Sequence, residues 1–174
     1  MDFISTFLRT FPETEFIAED LGILSDDVDR MLENSGLPGM RVIEFGMHPD
    51  HIGSNTPHMH KNNCICYIGT HDNSTLLGWR KQADPVEVRN MRKYFGITGK
   101  DDESFNFGVI RGAMASVANL FVAQMQDYLL LDDIARINSP GTLGNNWTWR
   151  MTKGQYNRKL AAKIADMTKI FGRG

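Results

Sequence analysis

The sequence has little cysteine: Cys64 and Cys66 are the 2 in its 174 residues. A disulfide scaffold is therefore excluded, and two cysteines this close on an extended segment are poorly placed to bridge each other. There is no excess charge of either sign, with 19 Lys and Arg against 21 Asp and Glu and a net charge of −2. With no basic run either, the electrostatic reason to expect a nucleic-acid partner is missing. No apolar run reaches the ~20 residues of a membrane span, so no membrane partner is expected. No secretory-type apolar segment opens the sequence, and a cytoplasmic protein is expected. Repeats and low-complexity tracts are also missing. Apolar residues are not scarce: the hydrophobic types make up 41%, with 16 Gly besides, which is enough for a packed core and argues against disorder.

Apolar residues recur with two alternating periods, which predicts an α/β fold. Phe3, Ile4, Phe7 and Leu8 share a helical face that ends near Pro12. Glu15 to Ala18 reads as a first strand delivering Glu19 and Asp20 into a loop. Ser25 reads as an N-cap, with acids in the first turn and Gly36 and Pro38 as the stop. Arg41 to Phe45 reads as a second strand, and Cys64 to Ile68 as a third, apolar enough to be a buried parallel strand. Asp84-Pro85 opens another helix. Ser104 to Asn119 reads as helix, Leu120 to Met125 as a fourth strand, and Thr152 to Phe171 as a last helix, preceded by a loop rich in Gly, Asn and Trp. Such consecutive β/α units gather chemistry at the carboxyl ends of their strands.

Two acidic motifs sit at such ends. Glu19 follows the first strand, and Asp72 follows the third, between His71 and Asn73. A partly shielded carboxylic acid can hold its proton near neutrality and act as a general acid. A second carboxylate nearby can stabilise positive charge, and the pair suits glycoside chemistry, whose transition state is oxocarbenium-like. In the structural alternative, Glu19 closes a loop and Asp72 caps the next helix.

The segments Ile17-Ala18-Glu19-Asp20-Leu21-Gly22, Gly36-Leu37-Pro38-Gly39-Met40 and Gly69-Thr70-His71-Asp72-Asn73 with Gly78-Trp79 occur in that order. Later come Ala135-Arg136-Ile137-Asn138-Ser139-Pro140-Gly141-Thr142 and Asn145-Asn146-Trp147-Thr148-Trp149-Arg150. As a set they resemble the 4-α-glucanotransferases, also called amylomaltases or disproportionating enzymes. The resemblance implies a (β/α)8 barrel, of which residues 1–174 would be the C-terminal half, with about four parallel strands and helices. It implies transfer of a 1,4-α-glucan segment to a 4-hydroxyl of glucose or another glucan, by a retaining double displacement and without metal or cofactor. Maltooligosaccharides or other α-1,4-glucans would be the partners. By the same match, Glu19 is the acid/base and Asp72 the transition-state stabiliser. His71, Asn73, Asn146 and Trp147 are the candidate substrate contacts.

The family's nucleophilic Asp lies upstream of the acid/base, in an Arg-x-Asp-His type context. Asp2 is the sole Asp before Glu19, and no such motif surrounds it. A retaining reaction needs that carboxylate about 5 Å from the acid. The chain alone is therefore expected to be inactive, and to self-associate or to pair with the missing N-terminal half. A non-catalytic half-barrel that binds or assembles glucan is the alternative.

Other signals have plainer readings. His58, His60, Cys64, Cys66 and His71 suggest zinc, but the Cys-x-Cys spacing is off-pattern and fits two small core residues. A zinc-dependent hydrolase is thus the lesser alternative, and no metal site is expected. His71-Asp72 as a phosphohydrolase dyad lacks the helical ligands that such a site needs. Tyr67, Trp79, Trp147 and Trp149 offer faces for sugar rings or for packing.

Overall fold

A computed structural model describes residues 2–22, 25–50 and 53–174. Helix α1 (Asp2–Thr10) presents the expected aromatic face, on which Phe3 and Phe7 stack with centroids 5.8 Å apart. Helix α2 (Asp26–Ser35) follows Ser25 and ends at Gly36 with φ +72°; the Ser25 side chain makes no cap hydrogen bond. Strand β1 (Gly39–Val42) runs into a 3-10 turn (Ile43–Gly46), and a second such turn (Pro57–Met59) precedes β2 (Cys64–Tyr67). Three helices follow: α3 (Leu76–Gln82), α4 (Pro85–Tyr94) and α5 (Asp102–Met114). The chain closes with β3 (Leu120–Val122), the short α6 (Met125–Tyr128), a 3-10 turn (Asp133–Ala135) and α7 (Arg158–Ile170).

The sheet is parallel, in the order β1-β2-β3, with Met40 beside Ile65 and Cys66 beside Phe121. Every crossover passes through helix or loop, as parallel neighbours require. The architecture is α/β, as the alternating periods predict. Its core lies between the sheet and α3–α5, where Ile43, Cys66, Ile68, Leu76, Met91, Phe105, Val109 and Ile110 are all fully buried. Each such side chain contributes about 1.5–3 kcal/mol by leaving water. Cys64 and Cys66 are free thiols in this core.

Several boundaries differ from the sequence reading. The segment Glu15 to Ala18 forms no strand, and Ala18 N–H donates to Pro38 O, just before β1, at 2.9 Å. The next donor a ladder would use, Met40 N–H, instead meets the Asp20 carboxylate at 2.5 Å. Val42 N–H meets the Asn55 side-chain oxygen at 2.9 Å. Side chains thus satisfy the outer edge of β1 where a fourth strand was expected. The last helix begins at Arg158 rather than Thr152, because Asn157 is its N-cap and accepts from Leu160 N–H at 3.0 Å. The N-cap of α3 is Thr75, which accepts from Gly78 N–H at 3.1 Å. Asp72 therefore does not cap this helix.

Candidate functional site

Glu19 is exposed, and its neighbour Asp20 is buried and fixes the loop. Asp20 takes Met40 N–H on one oxygen and the Arg41 guanidinium on the other, the latter at 2.6 Å. Arg41 also donates to Met40 O. Gly39 makes room for this, since a Cβ there would lie 2.5 Å from Asp20 Oδ2. Tyr67, at the end of β2, is half-buried beside this loop. Burial and then the Glu19 charge push its hydroxyl above its ordinary value.

The second acid stands on the turn after β2. Asn73 Oδ1 accepts from Thr70 N–H at 2.9 Å and from Thr70 Oγ1 at 2.7 Å, which closes the turn. Thr70 Oγ1 then accepts from Asp72 N–H at 3.2 Å. Asp72 Oδ1 lies 3.2 Å from His71 Nε2 and accepts from Asn138 Nδ2 at 2.6 Å. The Asp72 carbonyl accepts from Arg136 Nη2 at 2.7 Å. The His71 ring packs on Trp147 with centroids 5.1 Å apart.

Both acids line one cleft of about 780 Å³, with His71 and Asn73. Asp29, Arg41 and Phe45 complete its charged and aromatic lining. The carboxylates outnumber the one cation, so the cleft favours developing positive charge. The other two candidates stand apart from this lining. Asn146 lines a separate depression with Trp149. Its Oδ1 accepts from Ser139 N–H at 3.0 Å and its Nδ2 donates to Thr142 O at 3.1 Å, so it braces the late loop from within. Trp147 reaches the site through His71, from a backbone at φ +65°, and its N–H donates to Ile137 O at 2.7 Å.

Buried acids lie beneath the Asp72 turn. Glu44 sits against Gly69. Burial, and then the charges of Asp127 and Asp133, push its carboxyl well above the ordinary range. Burial pushes Asp127 up to about 7, although Leu76 N–H donates to its Oδ1 at 2.8 Å. Among the described residues, no group of three or more His, Cys, Asp and Glu is placed to hold a metal ion. His60 pairs through Nδ1 with Ser116 Oγ at 2.7 Å instead.

A family model described as 4-alpha-glucanotransferase matches residues 1–156. The chain belongs to the 4-alpha-glucanotransferase family. A 4-alpha-glucanotransferase of Clostridium butyricum is 41% identical over 162 residues, 92% of this chain and 33% of its own length. One of Thermus thermophilus is 35% identical over 166 residues, again 92% of this chain and 33% of its own length. The structure of an amylomaltase from Streptococcus agalactiae in complex with acarbose superposes with a TM-score of 0.91 at 30% identity, over 98% of this chain and 34% of that one. The chain spans about a third of the length of the curated relatives it matches.

In this glucanotransferase-family chain, sequence reasoning missed the anchoring role of Asp20 beside Glu19, and Arg136 and Asn138, which hold the Asp72 turn. Asn138 and Arg136 lay within a motif already singled out. Nothing in their spacing told which turn they would reach.

Proposed function

We propose that the chain is the part of a 4-alpha-glucanotransferase that carries two of its three acids, with residues 1–174 forming the C-terminal half of a (β/α)8 barrel. The carrying observation is the single cleft that Glu19, on the loop before α2, and Asp72, on the turn after β2, share. In this reading Glu19 protonates the departing glycosidic oxygen, and later removes the proton of an incoming 4-hydroxyl. A carboxylate from the rest of the enzyme attacks the anomeric carbon and forms the covalent intermediate. Asp72 and His71 hold the sugar as positive charge develops. Trp147 and Phe45 offer aromatic faces to the ring, and Asn73 sits at the same turn. Asn146 serves the substrate through the loop it braces. The substrate is an α-1,4-glucan such as a maltooligosaccharide, and the setting is cytoplasmic, in keeping with two reduced core thiols.

The alternative is a half-barrel that binds glucan without turning it over. It is supported by the same cleft, whose Phe45, Arg41 and Asn73 can hold a sugar without any bond being broken. Both readings call for association, with a second copy or with the remaining half of the barrel. The test has two arms. In the intact enzyme, Glu19→Gln and Asp72→Asn should each lower transfer from maltotriose by at least about 100-fold; near-normal transfer by either variant would remove that residue from its role. Titration calorimetry of the chain alone with maltoheptaose, run beside a disproportionation assay, separates the readings: binding without products supports the alternative.

A further inference from the structure

The late loop that carries Arg136 and Asn138 does more than border the site. Its segment from Asp133 to Asn138 is tied to the turn and helix start at 71–78 along its whole length. Asp133 Oδ1 accepts from Thr75 N–H at 3.0 Å, and its Oδ2 accepts from Ser74 Oγ at 3.0 Å. Arg136 Nη2 donates to the Asp72 carbonyl at 2.7 Å, and Arg136 Nε donates to the Asn138 carbonyl at 2.8 Å. One guanidinium therefore joins the two loops and fixes their spacing, which suits the rigid fork of arginine. Asn138 N–H donates to His71 O at 3.1 Å, and its side chain donates to Asp72 Oδ1 at 2.6 Å.

That last contact matters because the Asp72 side chain is 43% exposed. Packing alone does not select its rotamer. The amide of Asn138 does, and it occupies the same oxygen that faces His71. Among the described residues, Oδ2 is left for a substrate hydroxyl. The Asn138 donor stands on a backbone held by His71 and Arg136, so the carboxylate is oriented before any sugar arrives.

We infer that Arg136 and Asn138 are positioning residues that set the orientation of the Asp72 carboxylate. This rests on Asp72 being the transition-state stabiliser. Neither residue needs to touch substrate. The charged groups around Asp72 are His71 on its own turn, Arg136 on the late loop, and Glu19, Asp20, Asp29 and Arg41 along the cleft. Glu44 and Asp127 lie beneath, and Asp133 faces Ser74 and Thr75 from the late loop. Asn138 is the neutral group among them, so a carboxylate in its place has a specific signature: two acids at hydrogen-bond distance share a proton and titrate as a pair.

The test uses the intact enzyme and follows transfer from maltotriose against pH. Asn138→Asp, which keeps the shape of the side chain, should move the acid limb of the kcat/KM profile upward by at least about one pH unit. Asn138→Ala should lower kcat by about 10- to 100-fold with KM changed less than threefold. Arg136→Lys, which keeps the charge but not the fork, should also lower kcat more than it raises KM. Asp133→Asn is the structural comparison. It loosens the same loop without altering what faces Asp72, so it should lower thermal stability and leave the acid limb in place. An Asn138→Asp profile that overlays that of the unaltered enzyme, or an Asn138→Ala enzyme with unchanged kcat, would overturn the inference and leave Asp72 in its role. An Asp72→Asn enzyme with near-normal transfer would overturn both.

Discussion

Asp133 occupies the space directly above Gly78: a Cβ on that glycine would lie 2.0 Å from Asp133 Oδ1. The first turn of α3 therefore accepts the late loop only because residue 78 has no side chain. The carboxylate reaches past it to Thr75 N–H and Ser74 Oγ. Gly78→Ala should push Asp133 away, destabilise the intact enzyme by about 1–3 kcal/mol through overpacking, and weaken the hold on the Asp72 turn. Urea denaturation combined with a transfer assay checks both effects. An alanine variant of unchanged stability would mean that the two segments do not meet this closely.

Asp20 serves Met40 N–H and Arg41 together, and its side chain is only 4% exposed. Asp20→Ala leaves a buried amide without an acceptor and should cost about 1.5–3 kcal/mol, the range for hydrogen bonds to a charged group. Asp20→Asn keeps an acceptor for Met40 and should cost clearly less. Because Glu19 is the next residue, the alanine variant should also lose transfer activity at temperatures where it remains folded. Equal destabilisation by the two substitutions would argue against the Met40 contact as the main anchor.

The buried acids make stability depend on pH in a direction that can be worked out. Asp127 rises from 3.8 to about 7 on folding because burial penalises its charge. The folded chain then holds this proton more tightly than the unfolded chain does. Its contribution is full below about pH 4 and is lost as pH climbs through about 7. Glu44, raised well above its ordinary value, acts in the same sense. Melting temperatures should therefore fall between pH 5 and pH 8, and Asp127→Asn should flatten part of that fall. A variant with the slope of the unaltered protein would show that Asp127 titrates normally.

Trp147 combines a left-handed backbone with an aromatic contact to His71. The two features respond oppositely to glycine. Trp147→Gly should relieve about 1 kcal/mol of backbone strain while removing the stacking face. We expect unchanged or slightly higher thermal stability in the intact enzyme. Affinity for maltooligosaccharide should fall roughly 2- to 10-fold, the scale of one aromatic contact. Lower stability with unchanged affinity would mean that the indole serves the loop and not the sugar.

Much of this was legible in the sequence where the cue is local. Asp84-Pro85 predicts a helix start, and Asp84 Oδ1 accepts from Val86 N–H at 2.7 Å. The apolar run at Cys64 predicts a buried strand, and it is the middle one. Glu19 and Asp72 stood out because each follows an apolar run that reads as a strand, and they share a cleft, although only the run before Asp72 is a strand. What escaped depends on partners distant in sequence. The supposed strand before Glu19 fails to join the sheet because Asp20 and Asn55 take the amides it would have used. Asn146 looks like a free polar group in a loop, yet its amide is spent on Ser139 and Thr142. The Asn138 to Asp72 contact spans 66 positions, and no periodicity encodes it.

The two rims of the sheet are chemically unequal. The β1 rim is stoppered by the side chains of Asp20 and Asn55. The β3 rim has no neighbouring strand among the described residues and turns Leu120 and Val122 outward, 46% and 36% exposed. A strand arriving at β1 must first break the Asp20–Arg41 ion pair. A closed barrel needs both rims, and at β1 its completion asks two side-chain acceptors to give way first.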